Sequence, residues 1–153
     1  MTKGQQKLVV WDDRYSVAIP IVDTQHQELF NITNELYSAC RQGGSSAKDR
    51  FMEIVPKVVA YVKLHFSTEE TLMNKISYPY FPDHKLEHED FVKRVLEEVR
   101  NFENGKDFVP NAFVRFLRDW IIKHIAVSDA SVGRYITQLQ RRGALTVDLS
   151  TFE

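Results

Sequence analysis

Apolar side chains recur every three or four residues along four stretches of this 153-residue chain. This spacing is typical of helices that bury one face. It predicts helices over about 24–41, from 46 to about 76, from 83 to the polar loop at 104–107, and over about 109–140. Since the connections between them are short, the pattern indicates an all-α fold, an up-down-up-down four-helix bundle.

Polar residues and prolines set the expected ends of the first two helices. Asp23 is predicted to be the N-cap of the first, and Pro20 to stop any helix arriving from the N-terminal side. Residues 1–7 are read as a disordered lead and 8–21 as an extended N-terminal arm, which Trp11 pins to the core. Pro56 lies inside the second helix and predicts a bend near residue 57, because proline removes one helical hydrogen bond.

The remaining boundaries follow from similar signals. The run 42–46 breaks the chain, and Ser46 with Asp49 approximates a capping box for the second helix. Pro110 suits the first turn of the fourth helix. The apolar stripes are predicted to include Leu86 and Leu96 on the third helix and Val127 on the fourth. We interpret 1–153 as a single domain with its core at about 10–140, and 141–153 as a tail packed through Leu145, Val147 and Phe152.

Composition excludes several classes of partner. The formal net charge is −1 with both signs interspersed, which argues against binding nucleic acid or an anionic membrane surface. The apolar runs are short and the first residues are polar, so the sequence predicts a cytoplasmic protein without a membrane segment. Cys40 is the only cysteine, so a thiolate cluster is excluded and Cys40 is interpreted as a packing residue.

Every predicted helix carries at least one of the five histidines. A lone histidine on an apolar face is more often a hydrogen-bonded core residue than a ligand. Five together would require partners for ten buried ring nitrogens, which is costly unless a metal binds them. The candidates are His26 on the first helix, His65 on the second, His84 and His88 on the third, and His124 on the fourth.

Two carboxylates have positions suited to the same site. Glu69 follows His65 by four residues and shares its face, whereas Glu70 is rotated about 100° away and is interpreted as solvated surface. Asp129 follows His124 by five residues, a spacing that leaves the two about 140° apart on an α-helix. We therefore predict a π-bulge between His124 and Asp129 that brings both to one face. The alternative for Asp129 is an ordinary surface aspartate.

Together, these residues resemble a known family. His26, His65-x3-Glu69, His84-x3-His88 and His124-x4-Asp129 are similar, in type and order, to the seven-ligand signature of hemerythrins in the bacterial single-domain form, the bacteriohemerythrins. The resemblance covers roughly residues 10–136 and includes phrases such as VDTQHQELF, HFSTEETLM and YPYFPDHKLEH.

The resemblance implies a non-haem di-iron centre with a bridging oxo or hydroxo group. It implies that one iron is held by His84, His88 and His124, the other by His26 and His65, and that Glu69 and Asp129 bridge them. Two octahedral ions offer about 12 positions, of which these ligands and one bridging oxygen leave a single position open. Dioxygen is then expected to bind there reversibly as a hydroperoxide, for storage, delivery or sensing.

The pocket beside the open position is expected to be apolar, so that water does not promote loss of the bound oxygen. The family pattern assigns this lining to Leu29, Phe66, Trp120 and Ile121, although plain bundle core explains the same residues. The chain lacks the Glu-x-x-His motif of carboxylate-rich bundle oxygenases. We therefore expect an oxygen-binding protein and not an enzyme, acting as a monomer.

Two other functions remain open from the sequence. A di-iron enzyme or scavenger could use the same ligands on peroxide or nitric oxide. A zinc or structural metal bundle is the second alternative, since imidazole also suits zinc and copper.

Overall fold

Four helical segments form the bundle, and the fourth is interrupted by a change of helix type. The structure is a computed structural model that describes residues 7–42, 45–105 and 110–150. It contains α1 (Pro20–Gln42), α2 (Ser45–Lys75), α3 (Phe81–Glu103), α4 (Pro110–Lys123) and α5 (Ala130–Arg141). A π-helical segment, His124–Asp129, joins α4 to α5 without a break. Since α1 packs on α2 and α4, and α2 packs on α3, the predicted all-α four-helix bundle is confirmed.

The start of α1 differs from the prediction. Pro20 begins the helix, ahead of the predicted start at about residue 24, because its missing N–H is not needed in the first turn and its φ angle already suits a helix. Asp23 lies inside this first turn, so its assignment as N-cap was wrong. Its carboxylate accepts hydrogen bonds from the Ser16 hydroxyl (2.5 Å) and the Val17 amide (2.9 Å). Asp23 therefore holds the N-terminal arm against α1.

The arm is attached to α1 at a second place. The side chain of Asn34 accepts from the amides of Leu8 (2.9 Å) and Val9 (3.0 Å) and donates to the Val9 carbonyl (2.8 Å). Trp11 lies against Phe30, with ring centroids 5.6 Å apart, as the sequence predicted. The arm departs from an extended path at one 3-10 turn, Asp13–Tyr15, and at Ala18, whose φ is 60°. Residues 1–6 of the predicted lead lie outside the described chain.

Gly133 allows the arm to approach α5 closely. A Cβ atom at this position would lie 2.4 Å from the Val17 carbonyl oxygen, so the arm backbone would have to move. We expect Gly133→Ala to lower the free energy of unfolding by about 1–3 kcal/mol, as other overpacked sites do, although alanine is the better helix former. Thermal unfolding followed by circular dichroism checks this, with the exposed Gln140→Ala on α5 as control. A melting temperature at or above wild type would contradict it.

The turn between α2 and α3 brings their polar ends together. Ser77 adopts a left-handed φ of 52°, and the Tyr78 amide donates to the Met73 carbonyl (2.9 Å), which closes the end of α2. α3 then begins at Phe81, two residues before the predicted Asp83, because Pro82 is well suited to a first helical turn. The two ends face each other as the prolines suggested.

The remaining helix boundaries and the tail agree with the expectations where the structure describes them. α2 passes through Pro56 as one helix, as predicted, while the bend near residue 57 stays a prediction. The Ser46 side chain of the capping box, the loop residues 106–109 and Phe152 lie outside the described residues. Pro110 begins α4 as expected. Leu145 and Val147 of the tail pack against the core.

Three residues assigned to the buried stripes are exposed instead. Leu86, Leu96 and Val127 are 55%, 37% and 57% exposed. The buried face of α3 is set by His84, His88, Phe91 and Val95, and Leu86 is turned about 200° from His84 on this helix. Val127 faces solvent because the π segment changes the register after His124.

Two smaller expectations concern membranes and the thiol. Among the helices that the structure describes, none is both long and apolar enough to cross a membrane. Cys40 is half-buried against the core, and burial raises the pKa of its thiol. This environment agrees with a packing role and disfavours the reactive thiolate form.

Candidate metal centre

The seven predicted ligands meet in the centre of the bundle. Each is at most 5% exposed, although imidazoles and carboxylates usually lie at the surface. α1 contributes one histidine, α2 a histidine and a glutamate, α3 two histidines, and the π segment the last two residues. The full set is His26, His65, Glu69, His84, His88, His124 and Asp129.

These seven side chains divide into two groups that share the carboxylates. One group contains His84, His88 and His124, the other contains His26 and His65, and Glu69 and Asp129 belong to both. Within each group the potential ligand atoms all lie within 4.8 Å of one another. We call them the three-histidine group and the two-histidine group. Each group could therefore hold one cation, and the two groups have both carboxylates in common.

The π segment explains how Asp129 reaches this centre. The predicted widening is confirmed: residues His124–Asp129 form a π-helix, in which hydrogen bonds link residues five apart and so align such residues on one face. Asp129 Oδ1 consequently lies 3.2 Å from His124 Nε2 and 3.1 Å from His84 Nε2, while Oδ2 lies 2.9 Å from His26 Nε2. The alternative of a surface aspartate was wrong.

Several atoms of the cluster lack the partners that protein groups alone would supply. Both Asp129 oxygens and His65 Nε2 approach other ligands but have no hydrogen bond of acceptable geometry within the described chain. His124 Nε2 lies 3.1 Å from His84 Nε2 and 3.0 Å from His88 Nε2. Three imidazole nitrogens directed at one point cannot all satisfy each other with protons. A cation between them would satisfy all three, so the donor set fits a metal.

The outer ring nitrogens of three ligands are also bonded. His65 Nδ1 lies 2.7 Å from Gln25 Oε1, His88 Nδ1 2.9 Å from Glu70 Oε2, and His124 Nδ1 3.1 Å from Glu87 Oε2. Such acceptors direct the other nitrogen, Nε2, towards a metal.

The sequence interpretation missed these three acceptors. Glu70 in particular is not solvated surface, since its side chain is only 24% exposed and is bonded to His88. The available signal was position: each acceptor is next to a ligand along the chain, in Gln25-His26, Glu69-Glu70 and Glu87-His88.

Charges within the cluster shift its proton affinities strongly. Burial alone lowers the pKa of His26 and of His84, but the carboxylates of Asp129 and Glu69 close to their rings outweigh it and raise both pKa values from 6.5 to about 9. Burial favours the protonated form of Glu69 and Asp129, yet the surrounding imidazoles hold the pKa of each carboxyl below its usual range. Without metal, protons therefore occupy nitrogens that a cation would need.

A pH dependence with a definite sign follows for the metal-free protein. Since the pKa values of His26 and His84 rise on folding, their stabilisation is complete below pH 6.5 and is lost as pH rises to about 9. The lowered pKa values of Glu69 and Asp129 stabilise the fold throughout this window, and that stabilisation is lost only at acid pH. We expect the free energy of unfolding to fall by on the order of a few kcal/mol over pH 6.5–9.

Thermal unfolding of chelator-treated and metal-loaded protein at several pH values measures this effect. The stabilisation that metal gives should increase over the same window, because fewer protons compete for the imidazoles. A metal-free melting temperature that stays constant or rises from pH 6.5 to 9 would contradict the assignment of these proton affinities.

The four residues predicted as pocket lining all border a small cavity at this centre. Leu29, Phe66, Trp120 and Ile121 surround it together with three of the histidines. Its volume is about 10 Å³, room for roughly one water-sized molecule. Phe66 is stacked on the His88 ring at 3.7 Å, and Trp120 on the His124 ring at 4.4 Å. Aromatic rings thus hold the imidazoles in place and exclude water.

Comparisons with known proteins agree with this geometry. The family model described as the hemerythrin HHE cation binding domain matches residues 17–136. The bacteriohemerythrin of Stenotrophomonas maltophilia is 34% identical over 122 residues, covering 80% of this chain and 77% of that protein. The bacteriohemerythrin of Clostridium acetobutylicum is 31% identical, covering 80% of this chain and 96% of that protein. A crystal structure of wild-type hemerythrin superposes with a TM-score of 0.77 at 29% identity, covering 83% of this chain and 96% of that chain.

Proposed function

The chain belongs to the hemerythrin family, and we propose that it binds two iron ions and, through them, dioxygen reversibly. The observation that supports this most is the pair of histidine groups sharing Glu69 and Asp129 beside an apolar cavity. One side has three nitrogens and the other has two, so equal coordination numbers leave the second ion with the free position.

The proposed ligand roles follow from this division. His84, His88 and His124 would hold one iron, and His26 and His65 would hold the other. Glu69 and Asp129, which belong to both groups, would be shared by the two ions. When bound, the irons supply an open coordination position and the electrons that reversible oxygen binding requires.

The chain's own residues control what reaches that position. Leu29, Phe66, Trp120 and Ile121 line a space too small for most organic substrates, so a diatomic molecule is favoured over larger ones. The apolar walls keep bulk water from the centre. The anionic Glu69 and Asp129 offset the charge of two cations, and five neutral imidazoles complete the set. Such a ligand set disfavours high-valent iron and favours reversible binding.

Oxygen uptake distinguishes carriage from catalysis. Iron-loaded, reduced protein should take up one dioxygen per chain and release it when the gas phase is replaced by argon. Steady consumption of peroxide or nitric oxide at catalytic rates would instead favour an enzyme or scavenger, and a zinc-loaded, iron-free protein after iron-replete expression would favour a structural metal site. A cytoplasmic location and a monomeric state remain predictions from the sequence.

A further inference from the structure

The groups that accept hydrogen bonds from the Nδ1 atoms of the histidines are charged in one histidine group and neutral in the other. In the three-histidine group, His88 and His124 can each donate an Nδ1–H to a carboxylate, Glu70 or Glu87. In the two-histidine group, His65 donates to the neutral amide of Gln25, and His26 Nδ1 has no hydrogen-bond partner in the described chain. The anionic acceptors therefore lie on one side of the centre only.

We infer that Glu70 and Glu87 are positioning residues that give the three-histidine iron a lower reduction potential than the two-histidine iron. This inference rests on the proposed di-iron function. Its consequence is an order of oxidation: the iron with the open position is the last to lose its electron. Oxidation of the resting centre then begins at the fully coordinated iron, away from the position that dioxygen would take.

The physical cause is the polarisation of the imidazoles. A carboxylate that accepts the Nδ1–H draws the proton away from the ring and makes Nε2 a stronger donor. Stronger donation stabilises a ferric ion more than a ferrous one, because the ferric ion has the higher charge. A neutral amide acceptor polarises the ring less, so His65 should favour the ferric state less.

The two carboxylates differ in how strongly they are expected to act on their imidazoles, because they differ in burial. The Glu70 side chain is 24% exposed and lies 2.9 Å from its imidazole, whereas the Glu87 side chain is 49% exposed and lies 3.1 Å away. Glu87 Oε2 also accepts a hydrogen bond from the Ser128 hydroxyl (2.6 Å). This second donor weakens the pull of the carboxylate on the His124 proton. Because water screens the more exposed group, Glu70 is expected to have the larger effect.

In the two-histidine group, a chain of two hydrogen bonds determines the orientation of the Gln25 amide. Gln25 Nε2 donates to Thr68 Oγ1 (3.1 Å), and the Thr68 hydroxyl donates to the Leu64 carbonyl (3.1 Å). With its amide nitrogen engaged, Gln25 presents its oxygen to His65. The fold therefore presents a neutral amide oxygen to His65, whereas His88 and His124 face carboxylates.

Four single substitutions test the inference. Glu70→Gln and Glu87→Gln replace a carboxylate by an amide of the same shape, and Gln25→Glu does the reverse on the other side. Glu89→Gln is the control, because Glu89 is an exposed carboxylate that borders the same surface groove as Glu70 and His88. The two potentials are measured by titrating diferrous protein without oxygen. Each ferricyanide takes one electron from one ferrous ion and leaves a ferric ion and ferrocyanide.

Glu70→Gln should raise the lower of the two potentials, Glu87→Gln should raise it less, and Gln25→Glu should lower the higher one. In half-oxidised protein, the ferric Mössbauer signal should change in Glu70→Gln but not in Gln25→Glu. Iron affinity in Glu70→Gln should fall roughly 10- to 100-fold, as with other outer-ligand changes.

Different results would contradict the assigned order of the two potentials and the proposed di-iron function. If Glu70→Gln shifts the lower potential no more than Glu89→Gln does, or if Gln25→Glu moves the lower potential, the inference is wrong while the di-iron function stands. A wild-type protein that binds no iron would overturn both.

Discussion

Asp129→Asn should yield a helical protein that no longer holds a pair of iron ions. Asp129 is 2% exposed, and its two oxygens approach nitrogens from both histidine groups. An amide keeps the shape but replaces one anionic oxygen by an NH₂ group, which cannot bind a cation. The two ions would then repel each other with one bridging carboxylate fewer. We expect at most one iron per chain and an affinity for the second lower by at least about 100-fold, the upper range of outer-ligand changes.

Iron analysis and circular dichroism of the same preparation separate this effect from unfolding. Removing one partner of a buried ionic network costs about 3–5 kcal/mol, so the metal-free variant should melt at a lower temperature but remain helical in the cold. Asp119→Asn is the matched control, since this aspartate lies on α4 and its side chain is 67% exposed. Two irons per chain in Asp129→Asn would show that Asp129 is not a bridging ligand.

His65→Ala should abolish reversible oxygen binding by removing one of only two imidazoles in the two-histidine group. His26 would then provide the only imidazole nitrogen of this group. Because the His65 ring is buried, its removal would leave a space about the size of a free imidazole molecule. Added imidazole should therefore partly restore the oxygen-dependent visible band. The control is Leu64→Ala on the same helix, where the side chain is 55% exposed.

Visible spectra with and without oxygen, together with iron content, measure the effect. If His65→Ala retains two irons and still binds oxygen reversibly, His65 does not hold the oxygen-binding ion, and the assignment of the open position must move to the three-histidine group.

The residues of the centre were predictable because their chemistry restricts them. Five buried imidazoles need a common partner, and that requirement extended to local structure: Asp129 could join His124 only if the helix widened between them. The structure has that widening. A propensity argument would not have found it, since nothing in the composition of residues 124–129 forbids an ordinary α-helix.

Features that depend on how neighbouring helices are rotated could not be predicted from the sequence. Glu70 points away from Glu69 on its own helix, and its partner His88 belongs to α3. Val127 would be buried on a continuous α-helix and is exposed on the observed one. The start of α1 at Pro20 was missed because Asp23 also suits an N-cap, whereas in the fold its carboxylate bonds to the arm.

The central claim is that the buried cluster holds two irons that bind dioxygen reversibly, and the visible spectrum through repeated oxygen cycles tests it most directly. Purified, reduced, iron-loaded protein should gain a charge-transfer band in air, lose it under argon, and regain it on re-exposure, with two irons per chain throughout. A colourless protein, a chain without iron, or a band that oxygen removal never reverses would contradict the claim.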